Sequence, residues 1–298
     1  MEKFCFIILH YGDKTVTQKC IDSILKLKNG KNISIVLVDN DGTKTKAERQ
    51  KLKSFFEEID ERIRVLTIKE NYGFSYANNM GYIVVKKEIQ PDYVIVANND
   101  IVFGQEDFLR SVHESYVHNR FVVLGPDIIQ QESGFHQNPL DYNLRSKKQV
   151  DRTIFLNHIA LRFFEVIFPF VYLYNKWMKK KKVDMCQHVN RISHMMEDFV
   201  PCGACIILSK KFIDEEEKVF SPETAFYYEE YLLYYKCKKN GYRIVYDPNI
   251  QVVHGDGVAT ANDRKTEKRK TSFIVKNTLE SARIYRAEVY GNNSVENR

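Results

Sequence analysis

The chain is short of the residues that several function classes require. Thirteen glycines serve 298 residues, and the segment after the first apolar run, "LHYGDKTVTQ" (9–18), holds one of them. That is too little glycine for the phosphate-cradling loop a sugar-phosphate nucleotidyltransferase would need there. Low-complexity tracts and internal repeats are absent, and the composition is that of a globular protein large enough to bury a sizeable core. The formal net charge of +6 is modest, and the basic residues cluster more than they spread. Nucleic acid is therefore not an expected partner. Arg162 and Glu165 break the longest apolar stretch, leaving no uninterrupted run long enough to span a bilayer. The opening "MEKFCFIILHYGDK" lacks a signal-type cleavage site and is read as structure, so the six cysteines are read as reduced thiols of the cytoplasm. Cys202 and Cys205 in "PCGAC", with Cys186 and His188, could supply a redox dithiol or four zinc ligands. A strand-like "CIILS" follows the pair, however, where thiol activation wants a helix N-terminus, and the reading is disfavoured.

What is present alternates regularly. "FCFIIL" (4–9), "ISIVLV" (33–38), "IRVLTI" (63–68) and "YVIVA" (93–97) are apolar almost throughout. Helical spacing fills the intervals near 15–28, 45–58 and 74–88. Continuous apolar strands alternating with helices imply a parallel sheet covered on both faces, with ligands beyond the carboxyl ends of its strands. The polar residues fall at those ends: His10 and Tyr11; Asp39, Asn40 and Asp41; Asn71; and Asn98, Asn99 and Asp100. Asp41 with Gly42 reads as a turn. As a set, these residues point to a site.

Two further stretches carry chemistry. In "NYGFSYANNMGY" (71–82), Gly73, Ala77 and Gly81 keep one side of a helix small, while Asn78 and Asn79 offer amides. A bound phosphate-bearing ligand fits this pattern, and so does tight packing of the helix on the sheet. In "FYYEEYLLYYKCKKNGY", a helix closed by Asn240 and Gly241, Glu229 and Glu230 stand among tyrosines, where a carboxyl group tends to hold its proton. Adjacent helical residues diverge by about 100°, so one of the two faces the crevice. "RIVYDP" and "IQVVHGDG" read as two more strands.

The order of "LHYG", "VLVDND", "NYGFSYANNMGY", "VIVANNDI", "CGACIILSKKFI", "FYYEEYLLYYKCKKNGYRIVYDP" and "VVHGDG" resembles family-2 glycosyltransferases of the GT-A fold, in particular the rhamnosyltransferase-like branch that builds bacterial surface polysaccharides. The likeness covers residues 4–131 and 200–258. It implies an α/β, Rossmann-like GT-A fold: a mostly parallel central sheet flanked by helices, with a helical insertion and a C-terminal helix. The chain would divide into a donor-binding half (1–131), the insertion (132–199), an acceptor and catalytic half of the same domain (200–258) and a helical tail (259–298).

The resemblance also implies roles. Asn98, Asn99 and Asp100 stand where such enzymes hold a divalent cation, Mg²⁺ or Mn²⁺, against the two phosphates of a nucleotide-sugar. Asp100 is the carboxylate, Asn98 replaces an acid often found there, and His254 can complete the metal shell. Asp39 would accept hydrogen bonds from base or ribose, with His10 and Tyr11 lining the base pocket. Asn71, Gly73, Asn78, Asn79 and Asn99 would border the rest of the donor, and Gly203 would leave room for the transferred sugar. Glu230 matches the catalytic base, usually Asp, with Glu229 before it, in a single displacement with inversion.

Residues 132–199 depart from the family core. "TIFLNHIALRFFEVIFPFVYLYNKWMKKKK" joins an aromatic run to four consecutive lysines and suits the surface of an anionic membrane, a hairpin buried on the core or in a homodimer being the alternative. The expected enzyme lies on the inner face of the cell membrane. It takes a UDP-, dTDP- or GDP-linked sugar and adds it to a lipid-linked saccharide. A degenerate, non-catalytic transferase acting as a scaffold is the rival that the Asn98 and Glu230 departures allow.

Overall fold

A computed structural model describes residues 2–185, 191–255 and 264–291. Cys186 and His188 of the candidate thiol cluster, Asp256 and Gly257 of "VVHGDG", and the ends of the tail at 259–263 and 292–298 lie outside the described residues, as do the side chains of Trp177 and of residues 179–182.

The chain runs β1 (Phe4–His10), α1 (Lys14–Leu25), β2 (Ile33–Asp39), α2 (Lys46–Glu57), β3 (Ile63–Thr67), α3 (Phe74–Val84), β4 (Tyr93–Asn98), β5 (Ile101–Val102), α4 (Phe108–Asn119) and β6 (Val123–Gln130). It continues with α5 (Lys147–Arg162), α6 (Phe164–Met185), β7 (Met196–Glu197), β8 (Cys205–Ser209), α7 (Lys210–Glu215), α8 (Glu229–Asn240), β9 (Ile244–His254) and α9 (Arg264–Tyr290). One sheet has the order β3-β2-β1-β4-β8-β6-β9-β5, with β7 added on β9. β3, β2, β1 and β4 are mutually parallel, as the alternation of strands and helices requires, and β8 enters antiparallel between β4 and β6.

Apolar side chains leave both faces of the sheet. Phe6 and Ile8 of β1 pack with Cys20 and Ile24 of α1, Phe56 of α2 and Phe108 of α4. Cys5 and Ile7 point the other way, toward Ala77 and Tyr82 of α3, Phe212 of α7 and Leu233 of α8. That period of two is what a strand buried on both sides must show. Gly81 is small because α3 lies on the sheet: a Cβ there would stand 2.8 Å from both Ile7 and Val38 methyl groups. Local signals fix the helix ends. Thr45 and Glu48 form a capping box on α2, Ser146 and Gln149 do the same on α5, and Gly241 closes α8 at φ +66°.

The structure corrects the strand reading in one place. "RIVYDP" and "IQVVHGDG" are one strand, β9, whose pairing with β6 shifts register at Pro126/Asp127. Residues 248–250 bulge out of the ladder there, with Asp247 accepting from the Asn249 amide at 3.0 Å, and the parallel pairing resumes at Gln251.

The insertion forms α5 and α6, which meet at a bend of 111° and pack against α9. Among the described residues no single helix is long and apolar enough to cross a membrane; the bent pair passes by length and composition together. Phe155, Phe163, Val166, Phe170 and Leu173 stand exposed on this elbow, Phe170 by 71%.

Candidate active site

Strand ends and helix starts at one edge of the sheet gather the candidate residues. Asp39 and His10, paired across β2 and β1, are fully buried. Lys44 reaches over both, its Nζ 3.0 Å from His10 Nε2, 3.1 Å from Asp39 Oδ1 and 3.1 Å from Asp41 Oδ2. His10 Nδ1 meets Thr17 Oγ1 at 2.6 Å. Burial first, and the Lys44 charge second, push the His10 pKa down to about 4. His10 is thus a neutral ring with both nitrogens engaged; it supports Asp39 and Lys44 from beneath, whereas Tyr11 is 58% exposed and free to meet a ligand. Asp41 accepts from the Thr43 amide and hydroxyl, the turn its sequence suggests. Lys44 was not singled out from the sequence, where it falls between the Asp41–Gly42 turn and the helical stretch at 45–58.

Asn40 donates to Asn71 Oδ1 at 3.1 Å and to the Gly73 carbonyl at 3.3 Å, tying the end of β2 to the start of α3. The Gly73 position has φ +95°, and a Cβ there would lie 2.3 Å from the Ala225 carbonyl oxygen. Its missing side chain makes room for the 220–225 segment, which corrects the expectation that this space borders a ligand. Asn79 is likewise turned away. It donates to the Phe220 carbonyl and to Glu223 and accepts from the Phe220 amide. Its neighbour Asn78 spends its Nδ2 on the Phe74 carbonyl and leaves its oxygen unpaired.

Three buried side-chain oxygens lack a hydrogen-bond partner among the described residues, Asp39 Oδ2, Asn40 Oδ1 and Asn78 Oδ1, and a fourth, Asp100 Oδ1, has the His254 ring as its neighbour. All belong to this edge of the sheet, and all are acceptor oxygens. Buried acceptors are seldom left unpaired, because each forfeits its hydration. The set asks for a ligand rich in hydroxyl or N–H donors, or for a cation.

Asp100 and His254 meet because β5 pairs with β9, setting Ile101 opposite His254, and because the Gly255 amide donates to the Asp100 carbonyl at 2.7 Å. His254 Nε2 stands 3.1 Å from Asp100 Oδ1, and its Nδ1 is held by Gln137 Oε1 at 2.7 Å. Asn99 anchors the same loop through Nδ2, to Thr17 Oγ1 at 2.8 Å and the Tyr11 carbonyl at 3.3 Å, while Asn98 ends β4. No group of three or more His, Cys, Asp or Glu side chains arranged to hold a metal ion occurs among the described residues. Asp100 and His254 still fit a hard cation that draws its remaining oxygen ligands from a diphosphate and water.

Glu229 and Glu230 open α8 and diverge as helix geometry demands. Glu229 is buried and accepts from Thr224 Oγ1 at 3.3 Å, which in turn meets Ser75 Oγ of α3 at 3.1 Å. Glu230 lies against Gly203: a Cβ on Gly203 would stand 2.7 Å from Glu230 Oε1. The open space at Gly203 is therefore filled by Glu230. Burial, then the neighbouring Glu230, push the Glu229 pKa up to about 8, and burial raises that of Glu230. The Cys202 and Cys205 thiols are both pushed up by burial, Cys202 to about 12, away from the thiolate that redox or metal chemistry needs.

The chain is thus an α/β protein whose mostly parallel sheet carries its candidate residues at the carboxyl ends of the strands, where such sheets bind ligands. The model of the family described as Glycosyl transferase family 2 matches residues 5–184, and the chain belongs to that family. The match runs through α5 and most of α6 and stops short of Glu230 and His254. No curated protein matches the sequence. Among solved structures, the crystal structure of GalNAc-T7 with UDP, GalNAc and Mn²⁺ is similar, with a TM-score of 0.53 and 11% identity over 85% of this chain and 44% of that one. The chain thus spans less than half of that neighbour's length, and the likeness is one of fold.

Proposed function

We propose that this glycosyltransferase moves a hexose, rhamnose being the sugar of the branch it resembles, from a nucleoside-diphosphate donor to a hydroxyl of a lipid-linked saccharide, with inversion, in the assembly of a bacterial surface polysaccharide. The observation that carries the reading is the row of unpaired acceptor oxygens. Ribose hydroxyls and base N–H groups are the donors that Asp39 and Asn40 lack. Asp100 and His254, with Asn98 beside them, would hold Mg²⁺ or Mn²⁺, and the solved neighbour that shares the fold carries UDP and Mn²⁺. When bound, such a cation neutralises charge on a diphosphate leaving group.

Glu230 is the base. Its raised pKa suits it to take the acceptor hydroxyl's proton as that oxygen forms its bond to the anomeric carbon. The bond from that carbon to the diphosphate breaks on the opposite face, which inverts the centre. Glu229 stays protonated at neutral pH and fixes the turn before α8 through Thr224. Residues 1–131 serve the donor, and residues 200–258 the acceptor and the chemistry.

The exposed apolar elbow of α5 and α6 serves as a peripheral anchor on the inner face of the cell membrane. Apolar patches of this kind mark interaction surfaces, and "KKKK" at 179–182 complements anionic lipid. Flotation with phosphatidylglycerol vesicles tests this part; a dimer that stays in solution would oppose it. The activity is tested by incubating UDP-, dTDP- and GDP-linked hexoses with Mn²⁺ and a membrane-lipid extract. Diphosphate release from one nucleotide class and an inverted product support the reading. A folded chain that releases none, with Asp100→Ala and Glu230→Gln functioning as native in the cell, would make it a scaffold.

A further inference from the structure

A cavity of about 480 Å³ opens between α5, the start of α8 and α9, and Glu229 and Glu230 form part of its floor. Gln149 and Thr153 line it from α5, Thr278 from α9, and Tyr227 and Tyr228 from the turn before α8. A second cavity of about 500 Å³, between α1 and the segment after β5, is lined by none of the candidate site residues.

The floor is strained. Tyr227 and Tyr228 both sit in the left-handed region, at φ 71° and 67°, which side chains of this size rarely adopt. Strain of that kind persists where the surroundings over-determine it, and it concentrates at functional sites. Here α9 does the holding. Ser281 Oγ donates to the Phe226 carbonyl at 2.7 Å, and the Tyr285 ring packs on Tyr228 and Tyr231. The hydroxyls of Tyr285 and Tyr290 both donate to the Arg145 carbonyl, at 3.1 and 2.7 Å, which fixes the entry into α5. One helix thus positions both walls of the cavity.

The walls are aromatic and polar over a floor of two carboxyl groups that can accept from sugar hydroxyls, and the one cation among the described lining residues is engaged: Arg145 donates to Tyr231 Oη at 2.9 Å and stands 3.5 Å from Asp141. A tyrosine face beside hydroxyl and amide groups suits a neutral sugar ring, apolar across its C–H face and polar around its rim. We propose that this cavity is the acceptor subsite, that it takes an uncharged saccharide ring, and that Gln149, Thr153 and Thr278 determine which ring is accepted. The inference rests on Glu230 being the base, since that is what a hydroxyl bound here would face.

The probes are octyl glycosides of glucose, galactose, rhamnose and N-acetylglucosamine, read by saturation-transfer NMR on the full chain with UDP, dTDP or GDP and Mn²⁺ present. Native protein should bind at least one of them. Thr278→Trp and Thr153→Trp, which fill the cavity from opposite walls, should each weaken that binding by about tenfold or more, the discrimination a misfit in a pocket gives. Nucleotide affinity should not change, which also shows that the variants fold. Glycoside binding unaffected by both variants, or no glycoside bound by a native chain that binds nucleotide, would overturn the assignment. Failure to bind any nucleotide would instead strike the donor reading.

Discussion

At the ends of β2 and at α3, oxygens of Asp39, Asn40 and Asn78 are buried with no partner among the described residues; at the start of α8, the buried Glu229 accepts from Thr224, and the pKa values of Glu229 and the half-buried Glu230 are raised. Burial does opposite work in the two places. Along the strand ends it leaves acceptors without partners, a cost that a ligand supplying donors or a cation removes. At the start of α8 it favours the protonated carboxyl and thereby makes a stronger base once the proton is gone. On the proposed function, the first region binds and the second transfers a proton.

Substitutions separate the two. Glu230→Gln should lower turnover by about 10²–10⁴-fold, the range for a general base, while nucleotide affinity holds. Steady-state kinetics beside a nucleotide titration checks this, and a parallel loss of affinity would merge the regions. Next in size is the scaffold between them. Gly73→Ala sets a Cβ against the Ala225 carbonyl at positive φ and should cost about 1–3 kcal/mol of stability by urea unfolding. Asn79→Ala, which strips its bonds to Phe220 and Glu223, should cost a similar amount, about 1–3 kcal/mol.

The smallest effect is one of pH. Glu229 keeps its proton in the folded chain up to about 8, whereas its ordinary value is 4.5, so the folded state binds more protons in that window and stability falls as pH rises through it. His10 behaves oppositely: its folded pKa of about 4 lies below the ordinary 6.5, and stability falls as pH drops from about 6.5 toward 4. The two windows overlap from 4.5 to 6.5 and cancel there, so thermal midpoints should be level across that range and fall above and below it. Glu229→Gln, a mimic of the protonated acid, should flatten the upper limb with little change in turnover; a limb that persists in this variant would remove Glu229 as its cause.

The parallel strands and the polar residues at their ends were legible because strand alternation and chain order together fix where those ends must lie. Asp100 could be picked out for the same reason. His254 was placed beside it only through family resemblance; the structure supplies the cause, the two-residue β5 pairing with β9. The partners of Gly73 and Asn79 could not be seen in the sequence because Ala225 and Phe220 lie far along the chain in a segment with no regular pattern. Lys44 carried no signal because a lysine in a polar loop is ordinary until His10 and Asp39 are seen beneath it. The cavity between α5 and α9 was out of reach altogether, since its walls are joined by tertiary contacts such as Tyr285 with Arg145.

The most direct test is a calorimetric titration of the full chain with UDP, dTDP and GDP, with and without Mn²⁺, on the native protein and on Asp100→Ala. The account predicts that one nucleotide binds, that the cation strengthens it, and that Asp100→Ala removes the cation's effect. Nucleotide binding indifferent to both Mn²⁺ and Asp100, or no binding by a folded chain, would contradict it.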